Sequence, residues 1–431
     1  MLKKRYVPMI GVLALIVAGC NNNDSDEPVN AVKISHINNT YYHVDIDLDR
    51  ASRYQIGQEY ATKIRDAVPD YEALADGFLY QMVGILGEVY DGLTFQTLLK
   101  RAQGIFPQVP VDLQDEVKGM QVVFNYETDQ PGDGRLSSNE LLVLQVFGDT
   151  LRASHCSASA VFGSASVSGS TIVGRNLDWY AQKNPEIFKL HSVTRYSKGS
   201  KTIVSINILG FVFFGTGFNS DHVFSAVLDS DTDLNYPPDT TGLRSYMMDL
   251  RYAMENFDSM EGIAKFFYDK RYAFQHLIFL ADQTTSKVLE DDDSTAHRLR
   301  TAQSPLQQDI PSWNQTQAIA AVNSFMLVDS PHNFFGEGSS NPPRWNSFIN
   351  LYKSALAENK KADLDTLKTI SGYPGPDKAG NGTTGALFRS TDGYPTVQSV
   401  AMRMDTLEVW AFFAPVVSQP VRIPTYIRVD W

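Results

Sequence analysis

The sequence predicts an α+β fold, with a helical first part followed by a larger part that mixes strands with helices. Three observations carry this expectation. From about Asp49 to Phe124, apolar residues recur at spacings of three and four with few β-branched runs, as in "YEALADGFLYQMVGILGEVYDGLTFQTLLKRAQGIF". That is the period of helices with one buried face. After Ser154 the texture changes to short apolar or alternating runs, "TIVGRNLDW", "KLHSVTRYS", "KTIVSINIL", "HVFSAVLD", "HLIFLAD" and "VQSVAMRM", punctuated by Gly, Ser and Asp. These read as strands. Two helical stretches, "GLRSYMMDLRYAMENFDSMEGIAKFFYDK" and "PPRWNSFINLYKSALAENKKADLDTLKTI", lie among them, which is the α+β arrangement.

The start of the chain is of a different kind. Lys3, Lys4 and Arg5 precede an apolar run ending in Val17-Ala18-Gly19-Cys20, the layout of a signal peptide. The small residues before Cys20 match the bacterial lipobox, so residues 1–20 are expected to be a lipoprotein signal peptide and Cys20 the lipidated N-terminus of the mature protein. The competing reading is an ordinary signal peptide with a chance cysteine. The run is too short for a permanent spanning helix, and two acyl chains on Cys20 would supply the membrane anchor. Residues 21–40, opening "NNNDSDEPVN", are expected to form a polar tether with too little apolar surface to fold. Asn21 is not the aspartate that commonly retains such proteins in an inner membrane. The expected location is therefore the outer membrane, on its periplasmic side or at the cell surface.

The remaining residues suffice for one large domain, or two that share a core, given 43% hydrophobic and 11% aromatic content over the full chain. A formal net charge of −12, with no Lys/Arg cluster beyond the signal peptide, argues against nucleic acid as a partner, because a phosphate-binding surface needs a basic patch. The acidic "LEDDDS" at 289–294 reads as a solvated loop. Asp129, Asp133, Gly134 and Glu140 in "DQPGDGRLSSNE" fall at positions 1, 5, 6 and 12 of an EF-hand loop. Position 3 is Pro131, which has no ligand oxygen, and Ser137 to Glu140 form an S-x-x-E capping box. The favoured reading is a turn followed by a helix cap, with no metal.

Cysteine usage leads to the chemistry. With Cys20 assigned to lipid, Cys156 in "SHCSASAVFGSASVSGSTIVGRNLDWY" has no disulfide partner within the chain. It is then either a small buried hydrophobe or a reactive thiol. A papain-like arrangement needs a distant histidine with an orienting partner, and the eight histidines offer no selection. His155 is adjacent, and neighbouring side chains on a strand point to opposite faces. The second route needs no histidine. A cut between His155 and Cys156 frees an α-amino group with a reference pKa of about 7.7–8.0, close to that of the thiol at about 8.5, so the nucleophile carries its own base. A cation beside the sulfur favours thiolate, and a carboxylate orients the new ammonium. Arg175 and Asp178 supply one of each on the strand expected to return beside Cys156 after "SVSGS". Their plainer reading is a surface ion pair of little value.

At these residues the chain resembles a family. "CSASAVFGSASVSGSTIVGRNLDW" is similar to the opening of the catalytic chain in the N-terminal-nucleophile (Ntn) amide hydrolases of the choloylglycine hydrolase, acid ceramidase and penicillin acyltransferase (peptidase C45) group, where a cysteine opening precedes a small-residue hairpin and G-R-N-x-D. "GTGFNSDHVFSAVLDS", "HLIFLADQTTSKVLE" and "TVQSVAMRMDTLEVWAFFA" resemble later strands of that family, and "YQIGQEYATKI" and "NELLVLQVF" its propeptide. The resemblance implies an αββα sandwich preceded by a helical propeptide, with self-cleavage between His155 and Cys156. Residues 41–155 would be the propeptide or alpha chain, and 156–431 the catalytic or beta chain. It also implies that Cys156 is the nucleophile, that Arg175 polarises the thiolate and that Asp178 holds the amine, with no cofactor.

Two departures from the family pattern stand out. Where bile-salt hydrolases carry an oxyanion-hole asparagine, this chain has Asp229, and a carboxylate repels a developing oxyanion unless protonated or turned away. The later T-N-H-F-like segment reads "VDSPHNFF", making Asn333 the candidate amide donor, with Arg344 in "SSNPPRW" resembling a family arginine. Trp179, with Phe162, Tyr180 and "GFVFFGTGF" at 210–218, is the candidate wall of a pocket for an apolar acyl group. The expected activity is hydrolysis of a linear amide in an N-acyl substrate, such as a fatty amide, acyl-homoserine lactone, conjugated bile acid or lipoyl amine, or transfer of its acyl group. The competing reading, motivated by Asp229 and "VDSPHNFF", is a non-catalytic lipoprotein that keeps the sandwich as a binding module.

Overall fold

The computed structural model describes residues 30–89, 92–150, 155–179, 185–230, 239–291, 298–328, 330, 333–391, 393–416 and 421–431. The signal peptide, Cys20 and Tyr180 lie outside the described residues. Ordered structure begins earlier than the sequence suggested. Strands β1 (Val32–Ile37) and β2 (Tyr41–Asp47) form an antiparallel hairpin within and beyond the stretch read as a tether. Its turn is Asn38-Asn39, both at positive φ, the conformation that a tight hairpin requires and that asparagine tolerates. Val32, Tyr41, Tyr42, Val44 and Ile46 are buried, so the tether cannot extend to residue 40.

The helical part follows as α1 (Arg53–Ala67), α2 (Tyr71–Val89), α3 (Phe95–Ile105), α4 (Val111–Val123), α5 (Ser138–Gln145) and α6 (Phe147–Thr150). Capping boxes open α1 at Ser52/Gln55 and α5 at Ser137/Glu140, and the latter is the local role expected for Glu140. Gly132 and Gly134 of the preceding loop donate their amides to Asp76 of α2.

Beyond Cys156 come β3 (Ser157–Val161), β4 (Ile172–Asp178), β5 (His191–Lys198), β6 (Lys201–Ile208), β7 (Thr216–Asn219), β8 (Phe224–Asp229), α7 (Tyr246–Asn256) and α8 (Met260–Phe267). They are followed by β9 (His276–Ala281), β10 (Ser286–Asp291), β11 (Arg298–Arg300), β12 (Ala318–Ala321), α9 (Asn341–Ala355), α10 (Leu364–Ser371), β13 (Thr396–Arg403), β14 (Glu408–Phe413) and β15 (Ile427–Val429). The "LEDDDS" stretch is not a loop throughout. Leu289, Glu290 and Asp291 end β10 and are buried, because Glu290 accepts from Arg300 Nε at 2.6 Å and from the amides of Met326 and Leu327.

The strands form two sheets, one of order β1-β2-β5-β6-β7-β8-β9-β10-β11 and one of order β12-β3-β4-β13-β14-β15. Alternation along each strand sends one set of side chains between the sheets and the other outward. Ala158, Ala160, Val173 and Val400 of the smaller sheet pack in one core with Val193, Val204, Ala226 and Phe279 of the larger. The outer face of the larger sheet meets α1 to α5, α7 and α8 through Ile56, Leu98, Val117, Leu250 and Ile263. The outer face of the smaller meets α9 and α10 through Trp345, Phe348, Leu367 and Ile370. The layers therefore run helix, sheet, sheet, helix. The part before Cys156 belongs to this framework, since β2 pairs in parallel with β5.

Candidate active site

The site is built on the hairpin that "SVSGS" closes. β3 and β4 are antiparallel with Ser157 opposite Asn176 and Ala158 opposite Arg175, and the amide of His155 donates to the carbonyl of Asp178 at 3.0 Å. The pairing thus runs through the His155–Cys156 bond and brings "GRNLD" alongside the thiol. Small side chains suit β3, whose residues are all buried between neighbouring strands. Gly174 lets the layers approach closely: a Cβ there would lie 2.5 Å from Ser371 Oγ on α10, which would have to turn away. Asn176 ties the same layers, its Nδ2 donating to the carbonyls of Ser371 and Leu387, both at 2.8 Å.

Cys156 is buried. Arg175, also buried, directs Nη2 to Cys156 Sγ at 3.5 Å and to the carbonyl of Val227 at 3.0 Å. Among the described residues its Nε and Nη1 make no hydrogen bond. Burial pulls the Arg175 pKa below its usual value, with Cys156 and Asp178 acting in the opposite direction. Asp178 accepts a hydrogen bond from Thr396 Oγ1 on β13 at 2.6 Å. His155 packs edge-on against Tyr394 with centroids 4.2 Å apart. Its pKa lies well below the usual histidine value because of burial, followed by the charges of Arg389 and Arg344, so the ring is neutral at physiological pH.

A cavity opens beside the thiol. Cys156, Arg175 and Trp179 line it, as do Phe213, Asp229 and Tyr246, and Phe147 and Gly148 of α6 complete the wall. Trp179 is held by Phe78 and Phe147, with centroids 5.4 and 6.0 Å away. The part of the chain before the junction therefore shapes the cavity.

Arg344, on α9, is fully buried and donates through Nη1 to the carbonyl of Cys156 at 2.8 Å. Its Nη2 reaches Asn323 Oδ1 and Asn341 Oδ1, each at 2.8 Å, and Asn323 Nδ2 donates to the carbonyl of Asp229 at 2.6 Å. This chain of contacts joins Arg344 and Asp229 to the nucleophile's backbone. Asn333 is not part of it. Its Nδ2 is spent on Gln307 Oε1 and Asp309 Oδ2, both at 2.8 Å, and it does not line the cavity. One amide side chain near the junction is that of Asn323, which the sequence reading missed. It lies just past β12, and nothing in the spacing of "AVNSF" distinguishes it from Asn333 in "PHNFF".

No protein-family model and no curated protein sequence matches the chain. Solved structures do align with it. An N-acylethanolamine-hydrolyzing acid amidase ortholog from Caenorhabditis elegans is 13% identical, covering 60% of this chain and 100% of its own at a TM-score of 0.42. A conjugated bile acid hydrolase from Clostridium perfringens is 10% identical, with 64% and 97% coverage and a TM-score of 0.36. Penicillin V acylase from Agrobacterium tumefaciens is 12% identical, with 64% and 86% coverage and a TM-score of 0.34. At these identities and TM-scores the likeness bears no functional weight.

Proposed function

We propose that the protein is a self-processing cysteine Ntn hydrolase that cleaves a linear amide bond in an N-acyl substrate, or transfers its acyl group, through an acyl-Cys156 intermediate. The observation that carries this reading is the approach of Arg175 Nη2 to Cys156 Sγ at 3.5 Å, in a cavity and directly after the His155–Cys156 bond. A buried guanidinium at that position stabilises thiolate over thiol.

In the first reaction Sγ attacks the carbonyl carbon of His155. The C–N bond breaks as the C–S bond forms, the nitrogen of Cys156 takes up the proton, and water hydrolyses the thioester to leave the His155 carboxylate and a free Cys156 amine. In the second, that amine accepts the thiol proton, Sγ attacks the substrate carbonyl and the amine returns the proton to the leaving nitrogen. Water or another amine then takes the acyl group from sulfur. Asp178, whose carbonyl already pairs with His155, holds the ammonium, and Arg344 fixes the carbonyl of Cys156.

The test is to trap the acyl-enzyme. The cleaved protein is incubated with a panel of N-acyl amides, quenched in acid and weighed intact. A mass increase equal to the acyl group, confined to the chain beginning at Cys156, is the expected result, and an acyl group on any other residue contradicts the assignment. We propose in addition that lipid on Cys20 anchors the protein to a membrane, facing the periplasm or outside. Cys20→Ala should move the protein to the soluble fraction, and an unlipidated mature N-terminus at any other residue would remove the anchor.

A further inference from the structure

Strand β13 does not pair evenly with β4. From Arg403 back to Gln398 each residue faces its partner in regular antiparallel order, ending with Gln398 opposite Leu177. Even pairing would then put Val397 opposite Asp178. Instead the register slips by one residue, and Thr396 stands opposite Asp178. Such a slip re-aims a side chain, and slips of this kind gather next to active sites. Here it exchanges a buried valine, which offers a carboxylate no hydrogen bond, for a buried hydroxyl. The carbonyl of Pro395 accepts from the amide of Trp179 at 3.1 Å, so the displaced register is also held beyond Thr396.

Counting protons fixes the direction of the hydrogen bonds at Thr396. The amide of Arg389 donates to Thr396 Oγ1 at 2.9 Å, and an amide N–H can only donate. The hydroxyl has a single proton of its own, and Asp178 Oδ1 lies 2.6 Å away, the length of an O–H to carboxylate bond. That proton therefore goes to Asp178. The amide of Thr396 donates in turn to the carbonyl of Arg389 at 2.9 Å, closing a ring that holds the hydroxyl still. A carboxylate gripped this way keeps one orientation, and the bond favours its ionised form.

We propose that Thr396 is a positioning residue for the reaction at Cys156: its hydroxyl, brought opposite Asp178 by the slip in β13, fixes the carboxylate that holds the freed α-ammonium. The inference rests on the function proposed above and adds to it a residue outside the pattern formed by Cys156, Arg175 and Asp178. The other titratable or charged groups around this corner are Arg175 on β4, Arg344 on α9, Asp229 on β8, His155 with the carboxylate that the cut would give it, and Arg389 and Tyr394 ahead of β13. No substitution at Thr396 alters them.

The experiment titrates the freed amine itself and needs no substrate. The chain has only two cysteines, so isotope-labelled cysteine in a Cys20→Ala background marks one α-nitrogen, whose NMR shift is followed against pH in the cleaved protein. A fixed carboxylate favours the ammonium. Thr396→Val, which keeps the shape and removes the hydroxyl, should therefore lower the pH at which the ammonium loses its proton by about one unit, with the cleaved chains still folded. Thr396→Ser, which keeps the hydroxyl, should titrate as wild type. In an Asp178→Asn background Thr396→Val should change nothing further, because it acts through Asp178. An unmoved titration in Thr396→Val, a serine variant that shifts as valine does, or an equal shift on top of Asp178→Asn overturns the inference. If Thr396→Val does not fold, Thr396→Ala removes the same hydroxyl and is read by the same criteria. A wild-type protein whose label stays a peptide nitrogen is uncut, which overturns the proposed function and this inference with it. A normal titration in Thr396→Val overturns this inference alone.

Discussion

Two fully buried arginines, Arg251 and Arg175, show how one fold treats the same charge in opposite ways. Arg251 donates to Glu255 Oε1 at 2.6 Å, to the carbonyl of Val212 at 2.9 Å and to Glu116 Oε1 at 3.5 Å, and its guanidinium lies 3.4 Å from the centroid of Tyr196. Arg53 bonds the same two glutamates. Burial alone would lower the Arg251 pKa, but Tyr196, Glu255 and Glu116 hold it above its usual value. For Arg175 burial prevails despite Cys156 and Asp178. A charge matched on all sides locks structure, whereas one left under-matched keeps capacity to stabilise new negative charge, which in the proposed reaction is that of the Cys156 thiolate. The matched cluster also joins α1 and α4, before the junction, to α7 after it.

The contrast can be broken most forcefully at Arg175. Arg175→Met should slow both self-cleavage and amide turnover by about 10²–10⁴-fold, the range for a lost electrostatic or acid-base partner, with no loss of thermal stability. Gel densitometry, a rate assay and a melting curve on the same sample check this, and near-normal rates would refute it. Asp178→Asn should spare more of the cut but lower amide turnover about 10²-fold or more, measured per mole of cleaved chain. Normal turnover there would mean that nothing at position 178 holds the ammonium.

Arg251→Met should show the reverse profile. It strands two buried glutamates with one arginine, so denaturant unfolding should report a loss of about 3–5 kcal/mol with turnover per folded, cleaved molecule unchanged. The smallest expected effect is at Glu140. Burial, reinforced by Asp76 and Asp133, pushes its carboxyl up from 4.5 to about 7. A raised carboxyl pKa means that the folded state holds the proton more tightly than the unfolded state. Its contribution to stability is therefore full below about pH 4.5 and is lost as pH rises through about 7. Glu140→Gln, which can keep the capping box, should flatten that part of the stability profile, measured in an uncleavable Cys156→Ala background.

The difference between the arginines was only half legible in the sequence. The hairpin carrying Cys156, Arg175 and Asp178 could be read because small residues, a Ser/Gly turn and a β-branched run sit next to one another, and local spacing fixes which groups meet. The hairpin of β1 and β2 was hidden by the polar stretch before it, although "INNTYY" holds its turn. Asn323 and Asn333 differ in which way a loop turns, and that is decided by partners such as Asn341 and Gln307. The cavity wall likewise depends on Phe147 and Tyr246, which tertiary packing alone brings to the thiol.

The claim beneath all of this is that Cys156 frees its own amine. Intact mass and N-terminal sequencing of purified wild-type protein and of Cys156→Ala test it most directly. Wild type should resolve into two chains, the larger running from Cys156 to Trp431, while the variant should remain a single uncut chain. A wild-type protein that stays intact yet hydrolyses an amide through Cys156, or a variant that is cut at the same bond, would contradict the account.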